Sequence, residues 1–252
     1  MDEVFDRMLT DDYDDESAWE AVRALQLVGS REVFDRAAAW CSSENPLKRA
    51  RGADVLAQIG STSEHPGNKF PDESFSVISA LVKKEGDSLP LLSALCALGH
   101  IGSPLAIPLL LEHRHNPTTN VRFAVARVLG NFADDACARE ALMAFMRDVD
   151  DDIRDWATFG LGVLSSSDSA EIRDALLQRV ADSNKNVREE ALRGLAKRKE
   201  LRALHALIAE LSQPEVLDGA FEAADWFLGE GNNRAAWGAN DYVMALKKHF
   251  SI

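Results

Sequence analysis

The chain has 252 residues, 46% of them hydrophobic but only 7% aromatic, and a formal net charge of −13 at pH 7. That apolar content excludes a disordered polymer, and abundant Ala and Leu with few β-branched runs favour helix over sheet. The acidic balance speaks against nucleic acid as the partner, because such binding depends on a basic stripe that neutralises phosphates.

From Met1 to Asp6 the chain carries acid where a secretory signal would carry a basic start and an apolar run. No apolar stretch of membrane-spanning length follows, so the expectation is a cytoplasmic protein, neither exported by that route nor crossing a membrane. Cys41, Cys96 and Cys137 are widely separated in apolar surroundings and read as free, structural thiols of a reducing compartment. Through Glu20 nine acids stand against one base, Arg7. Val4, Phe5, Met8 and Leu9 suit a capping helix within an acidic N-terminal cap, residues 1–15, since a terminal repeat needs a polar outer side. The other reading of this segment is that Asp11 to Glu16 binds a basic partner.

A repeat then runs along the chain. Its clearest copies are Val121-Arg122-x-x-Val125-x-x-x-Leu129-Gly130, Ile153-Arg154-x-x-Ala157-x-x-x-Leu161-Gly162 and Val187-Arg188-x-x-Ala191-x-x-x-Leu195-Ala196. Apolar residues at i, i+4 and i+8 form one stripe of a helix, and a period near 30 residues signals an array of stacked units. Weaker copies lie at Leu25 to Gly29, Leu56 to Gly60 and Leu98 to Gly102, and the register continues through Val216, Ala220 and Ala224. Marker leucines 25, 56, 98, 129, 161 and 195 are spaced 31, 42, 31, 32 and 34 residues apart. The long interval contains Ser61 to Pro71, a breaker-rich insertion read as a loop, either mobile or used for recognition.

A second amphipathic segment separates successive marker helices, as at Ala136 to Arg147 and Ala170 to Val180, so each unit is a helical hairpin. Asp, Asn and Ser in the links can accept hydrogen bonds from the next helix's free amides. The residue before the marker leucine is Ala97, Gly160 and Gly194 in three copies, which lets another helix approach closely. The expected fold is one all-α domain over 1–252, with about six to seven hairpins and a C-terminal cap at 230–252.

The Pro or Asp turn followed by Val-Arg-x-x-Ala-x-x-x-Leu-Gly resembles HEAT repeats, in particular the short bacterial subtype seen in phycobilisome-lyase-like proteins. The resemblance, over residues 16–229, implies a right-handed α-α superhelix whose second helices line a concave surface. It also implies that Arg49, Arg122, Arg154 and Arg188 pair with acids at repeat turns, with Asp150 to Asp152 and Asp182 as candidates. Deoxyhypusine hydroxylases share the repeat style but need His-Glu pairs for two irons, and this sequence has no His-Glu dipeptide. The Glu112-His113-Arg114-His115 run suits a helix C-terminus without a metal. Alkylpurine DNA glycosylases line a basic groove with aromatic residues and an Asp, which the acidic balance here disfavours. No Gly-rich phosphate loop, zinc-type Cys spacing or nucleophile elbow occurs. The expectation is therefore no catalytic residue, no metal and no cofactor.

Residues two and six places after the first stripe residue should point away from the packed face. They are Ala50/Asp54, Leu92/Cys96, Phe123/Arg127, Asp155/Phe159, Glu189/Arg193 and Asp218/Glu222, with Trp156 adjacent. Phe123, Arg127, Asp155, Trp156, Phe159, Glu189, Asp218 and Glu222 form the candidate partner-binding set, aromatic anchors amid charge. The partner expected is a protein with a basic or amphipathic segment, with neither nucleic acid nor membrane. The function expected is a non-catalytic scaffold or adaptor, or an immunity-like inhibitor of a basic protein. The alternative is a phycobilin lyase-like or other small-molecule enzyme on the same scaffold.

Overall fold

The computed structural model describes residues 1–229 and 234–252. Among them are fifteen α-helices and no strand. After α1 (Asp2–Asp6) and α2 (Glu16–Val28) come the pairs α3 (Arg31–Trp40) and α4 (Pro46–Ala57), α5 (Pro71–Val82) and α6 (Ser88–Ile101), and α7 (Ile107–Glu112) and α8 (Thr119–Gly130). The pairs α9 (Ala136–Phe145) and α10 (Asp151–Phe159), α11 (Ala170–Leu177) and α12 (Lys185–Lys197), and α13 (Leu204–Leu211) and α14 (Asp218–Leu228) follow, and α15 (Ala239–Phe250) ends the series. This is the hairpin array expected of an all-α HEAT-repeat solenoid. Residues 230–233, the start of the expected C-terminal cap, lie outside the described residues. No described helix is long and apolar enough to cross a membrane.

Helix starts follow the link chemistry. Asp15, Ser30, Asn45, Asp135, Asp150, Ser169 and Asn184 each cap a helix by accepting an amide hydrogen bond. Gly29 and Gly102 end α2 and α6 in the left-handed conformation that glycine adopts without penalty.

The repeat arginines share one geometry. Nη1 of Arg49, Arg122, Arg154 and Arg188 each donates to two carbonyls of its own hairpin turn, five and six residues back. Carboxylates further along the chain also meet these forks, Glu85 at Arg49 at 2.7 Å, Asp182 at Arg154 at 3.0 Å and Glu210 at Arg188 at 3.0 Å. Of the candidate acids, Asp182 pairs with Arg154, Asp150 caps α10 and Asp151 accepts from Asn184. Each fork thus ties a turn to a neighbouring element, a bidentate geometry lysine does not reproduce.

Two compact units divide the chain, Met1–Val128 and Leu129–Ile252. In the first, α4 is buried at every residue from Ala50 to Ala57, including Arg51 and Asp54. Its near side meets α3 so closely that a Cβ on Gly52 would lie 2.7 Å from the Ala37 carbonyl oxygen. Phe5 of the N-terminal segment stacks edge-on against Trp40 at 4.9 Å, and Phe5 and Met8 are fully buried. The insertion is anchored at its end: Asn68 donates to the Leu56 carbonyl, Lys69 Nζ to that of Gly29, and Phe70 packs on Phe34.

In the second unit the small residues mark close approaches. A Cβ on Gly194 would lie 2.6 Å from Gly162 Cα, and one on Gly160 would lie 3.0 Å from Gly130 Cα. Past Phe159 the helix widens into a π turn, Gly160–Leu164. The buried Arg198 guanidinium donates to the carbonyls of Leu161, Gly162, Ser165, Ser167 and Gly194, satisfying the acceptors this turn releases.

Candidate functional site

The offset-two and offset-six positions of the marker helices fare differently in the two units. In the first unit the outward side of α4 is not open. Tyr13 lays its hydroxyl 2.7 Å from both Asp54 Oδ2 and Ser93 Oγ. Arg51 donates to the Met8 and Tyr13 carbonyls, lies 3.4 Å from Asp54, and stacks over the rings of Tyr13 and Trp19 at 4.1 and 4.9 Å. Burial pushes the Asp54 carboxyl up to about 6, against the opposing pull of Tyr13 and Arg51. The expectation that Ala50 and Asp54 face outward is therefore corrected: both are buried, and Tyr13 lies over Asp54. Further along, Arg127 donates to Cys96 Sγ at 3.3 Å, joining the offset-six residues of two successive marker helices, and burial raises the Cys96 thiol pKa. Phe123 is half-buried on α8.

Asp155, Trp156, Phe159, Glu189, Asp218 and Glu222 lie in the second unit on α10, α12 and α14. None is fully buried. Trp156 and Phe159 meet edge to face at 5.8 Å. Glu189 accepts from the Gly219 amide at the start of α14. Asp218 is exposed. Arg193, with Glu190 and Trp226 beside it, organises this face, and none of the three is in the candidate set. Arg193 bridges Glu190 and Glu222, each at 2.8 Å, with the Phe159 and Trp226 rings 5.9 and 6.0 Å from its guanidinium. Glu190 sits at offset three of its repeat, where Trp156 sits in the preceding one, and Trp226 lies one helical turn beyond Glu222. Extending the outward stripe by a turn and applying the Trp156 offset to every copy would have found both.

The electrostatics of this face are unbalanced. Burial, then the charges of Asp152, Glu189 and Asp151, push Asp155 up to about 6. Glu190 rises to about 7, again through burial, with Arg193 opposing and Asp155 adding to the rise. Asp155 Oδ1 is shielded from solvent and accepts no hydrogen bond among the described residues. A desolvated acceptor without a donor is costly. No group of three or more His, Cys, Asp or Glu among the described residues is arranged to hold a metal ion.

Comparison with known proteins places this arrangement in a family. The pattern for HEAT repeats matches residues 76–162 and 139–225. Protein YibA of Escherichia coli (strain K12) is 30% identical over 229 residues, covering 88% of this chain and 79% of that protein. The X-ray structure of Escherichia coli YibA superposes with a TM-score of 0.76 at 24% identity, covering 98% of this chain and 92% of that one. An engineered protein of known structure superposes with a TM-score of 0.50 at 19% identity, covering 98% of this chain and 70% of that one. These likenesses concern the fold, and on the repeat pattern and the YibA identity together the chain belongs to the HEAT-repeat family.

Proposed function

We propose that the chain is a non-catalytic, cytoplasmic scaffold that grips a basic segment of a partner protein on the face of α10, α12 and α14. The observation that carries this reading is the surplus of half-desolvated carboxylate on that face. Glu190 and Glu222 pair with one arginine, Arg193, whose charge Glu189 also feels, while one Asp155 oxygen accepts no hydrogen bond among the described residues, all beside Trp156, Phe159 and Trp226. Aromatic anchors framed by charge are what binding hot spots are made of, and the negative field steers a basic partner's approach. The sharper form of the reading is an inhibitor that neutralises a basic protein, in keeping with the net charge of −13. Immobilised protein should capture one stoichiometric basic protein from its native cells. A Trp156→Ala, Phe159→Ala double variant with an unchanged circular dichroism spectrum should lose it. Undiminished capture by that folded variant would remove the proposed anchors.

A further inference from the structure

The marker helices hold guanidinium groups in a recurring way. On α4, Arg51 lies beside Asp54 with the Tyr13 and Trp19 rings 4.1 and 4.9 Å from its guanidinium. On α12, Arg193 bridges Glu190 and Glu222 with the Phe159 and Trp226 rings 5.9 and 6.0 Å away. In both, a planar cation has carboxylate and two aromatic rings beside it, the combination that suits arginine over lysine.

Where α10 packs on α12, Asp155 stands without such a cation, beside Glu189, which accepts from the Gly219 amide and feels the Arg193 charge. Asp155 has a solvent-shielded oxygen that accepts no hydrogen bond among the described residues. It experiences the charges of Asp151 and Asp152 on its own helix and of Glu189 on α12, while Glu190 in turn experiences Asp155. The nearest basic side chains of these helices are committed: Arg154 to Asp182, Arg188 to Glu210, and Arg193 to Glu190 and Glu222. The acids form no metal-binding group among the described residues, and a guanidinium fork, unlike a point charge, can donate to more than one carboxylate oxygen at once. The chain's own N-terminal segment cannot fill this place, since Asp11, Asp12, Asp14 and Asp15 would add repulsion.

We infer that the partner's basic segment completes the series with an arginine side chain seated on Asp155 and Glu189 where α10 meets α12, and that this seat selects among basic segments. The inference rests on the proposed function and narrows it to one residue of the partner. It also makes Asp155 a specificity determinant.

The test uses the full chain and a short lysine-containing peptide with one central arginine, beside the same peptide carrying citrulline there. Citrulline keeps the shape and loses the charge. Fluorescence anisotropy at neutral pH and low salt should show the wild type preferring the arginine peptide by about tenfold, the scale of one charge-assisted hydrogen-bonded contact. In Asp155→Asn, and more weakly in Glu189→Gln, that preference should collapse while lysine-dependent binding persists. Melting temperatures at or above wild type would establish that both variants fold. If the wild type binds both peptides equally, or Asp155→Asn keeps the preference, the arginine seat is wrong and the basic-segment face stands. If the wild type binds neither peptide, the basic-segment face fails, and the seat with it.

Discussion

The outward sides of α4 and α10 begin from similar material and end differently. Each carries an aspartate whose carboxyl burial lifts to about 6, Asp54 on α4 and Asp155 on α10. Around Asp54 the chain supplies the partners: the Tyr13 hydroxyl, Ser93, and Arg51, which also lies over the Tyr13 and Trp19 rings. At Asp155 one oxygen is shielded from water and left without a donor. An acidic face on a helical repeat thus closes into the core where the chain itself supplies the donors and keeps an unmet acceptor where it does not.

The largest effect should come from breaking the satisfied side. Arg51→Ala leaves Asp54 buried beside fewer donors and removes the cation stacked on Tyr13 and Trp19. It should cost roughly 3–5 kcal/mol, the usual penalty for stranding one member of a buried pair. Urea unfolding would measure it, and a loss near zero would show that the N-terminal segment is not held by this network.

Gly194→Leu probes the second unit's packing at the place where the first has Ala97. Ala97 is fully buried and its Cβ is accommodated, whereas a Cβ on Gly194 would lie 2.6 Å from a backbone atom of Gly162. Overpacking against backbone should destabilise by about 2–3 kcal/mol, while Ala97→Gly should cost only about 1 kcal/mol through helix propensity. Thermal melts of the pair give the contrast, and equal losses would mean the two units stack alike at this position.

Tyr13→Phe removes a single hydroxyl from the satisfied side. With Ser93 and Arg51 still in place, the loss should be about 1–2 kcal/mol, the cost of a buried hydrogen bond made to a charged group. It should also lift the Asp54 carboxyl further, because the Tyr13 hydrogen bond is the leading influence holding it down. Carboxyl chemical shifts followed through an acid titration would show that rise.

The hairpin array was legible because burial of one helical stripe forces apolar residues into every copy. Leu56, Leu98, Leu129, Leu161 and Leu195 are fully buried, as a stripe facing neighbouring helices requires. The turn chemistry was legible too: Asp150 and Asn184 cap the helices that their positions suggest. The fate of the outward stripe was not, because periodicity shows which way a side chain points on its own helix and nothing of what a distant segment lays over it. Tyr13 meets Asp54 across 41 residues and Ser93 across 80, separations that no local pattern spans. Arg193 was in view at offset six, but its role needed Glu190 and Trp226, which stand off the expected positions. Asp182 was among the candidate acids, whereas Glu85 and Glu210 were not, since a guanidinium donates to any carboxylate that packing brings to it.

The smallest effect is the most discriminating, because it runs against the usual direction of mutation. In the folded chain Asp155 is lifted from 3.8 to about 6, so it holds its proton more tightly than in the unfolded chain. The stability linked to this group is fully present below pH 3.8 and is lost as pH rises through 6. Asp155→Asn removes that loss, so at pH 7 the variant should be more stable than wild type. A shift of that size, discounted for solvent screening of a half-buried group, corresponds to about 1 kcal/mol. The gain should shrink as pH falls from 6 towards 4, where the wild-type carboxyl takes up its own proton. Melting temperatures of both proteins across that range test it, and a variant less stable than wild type at pH 7 would mean that Asp155 already has an attractive partner within the chain. Greater stability joined to weaker binding of a basic segment would instead mark a carboxylate that opposes folding and serves recognition.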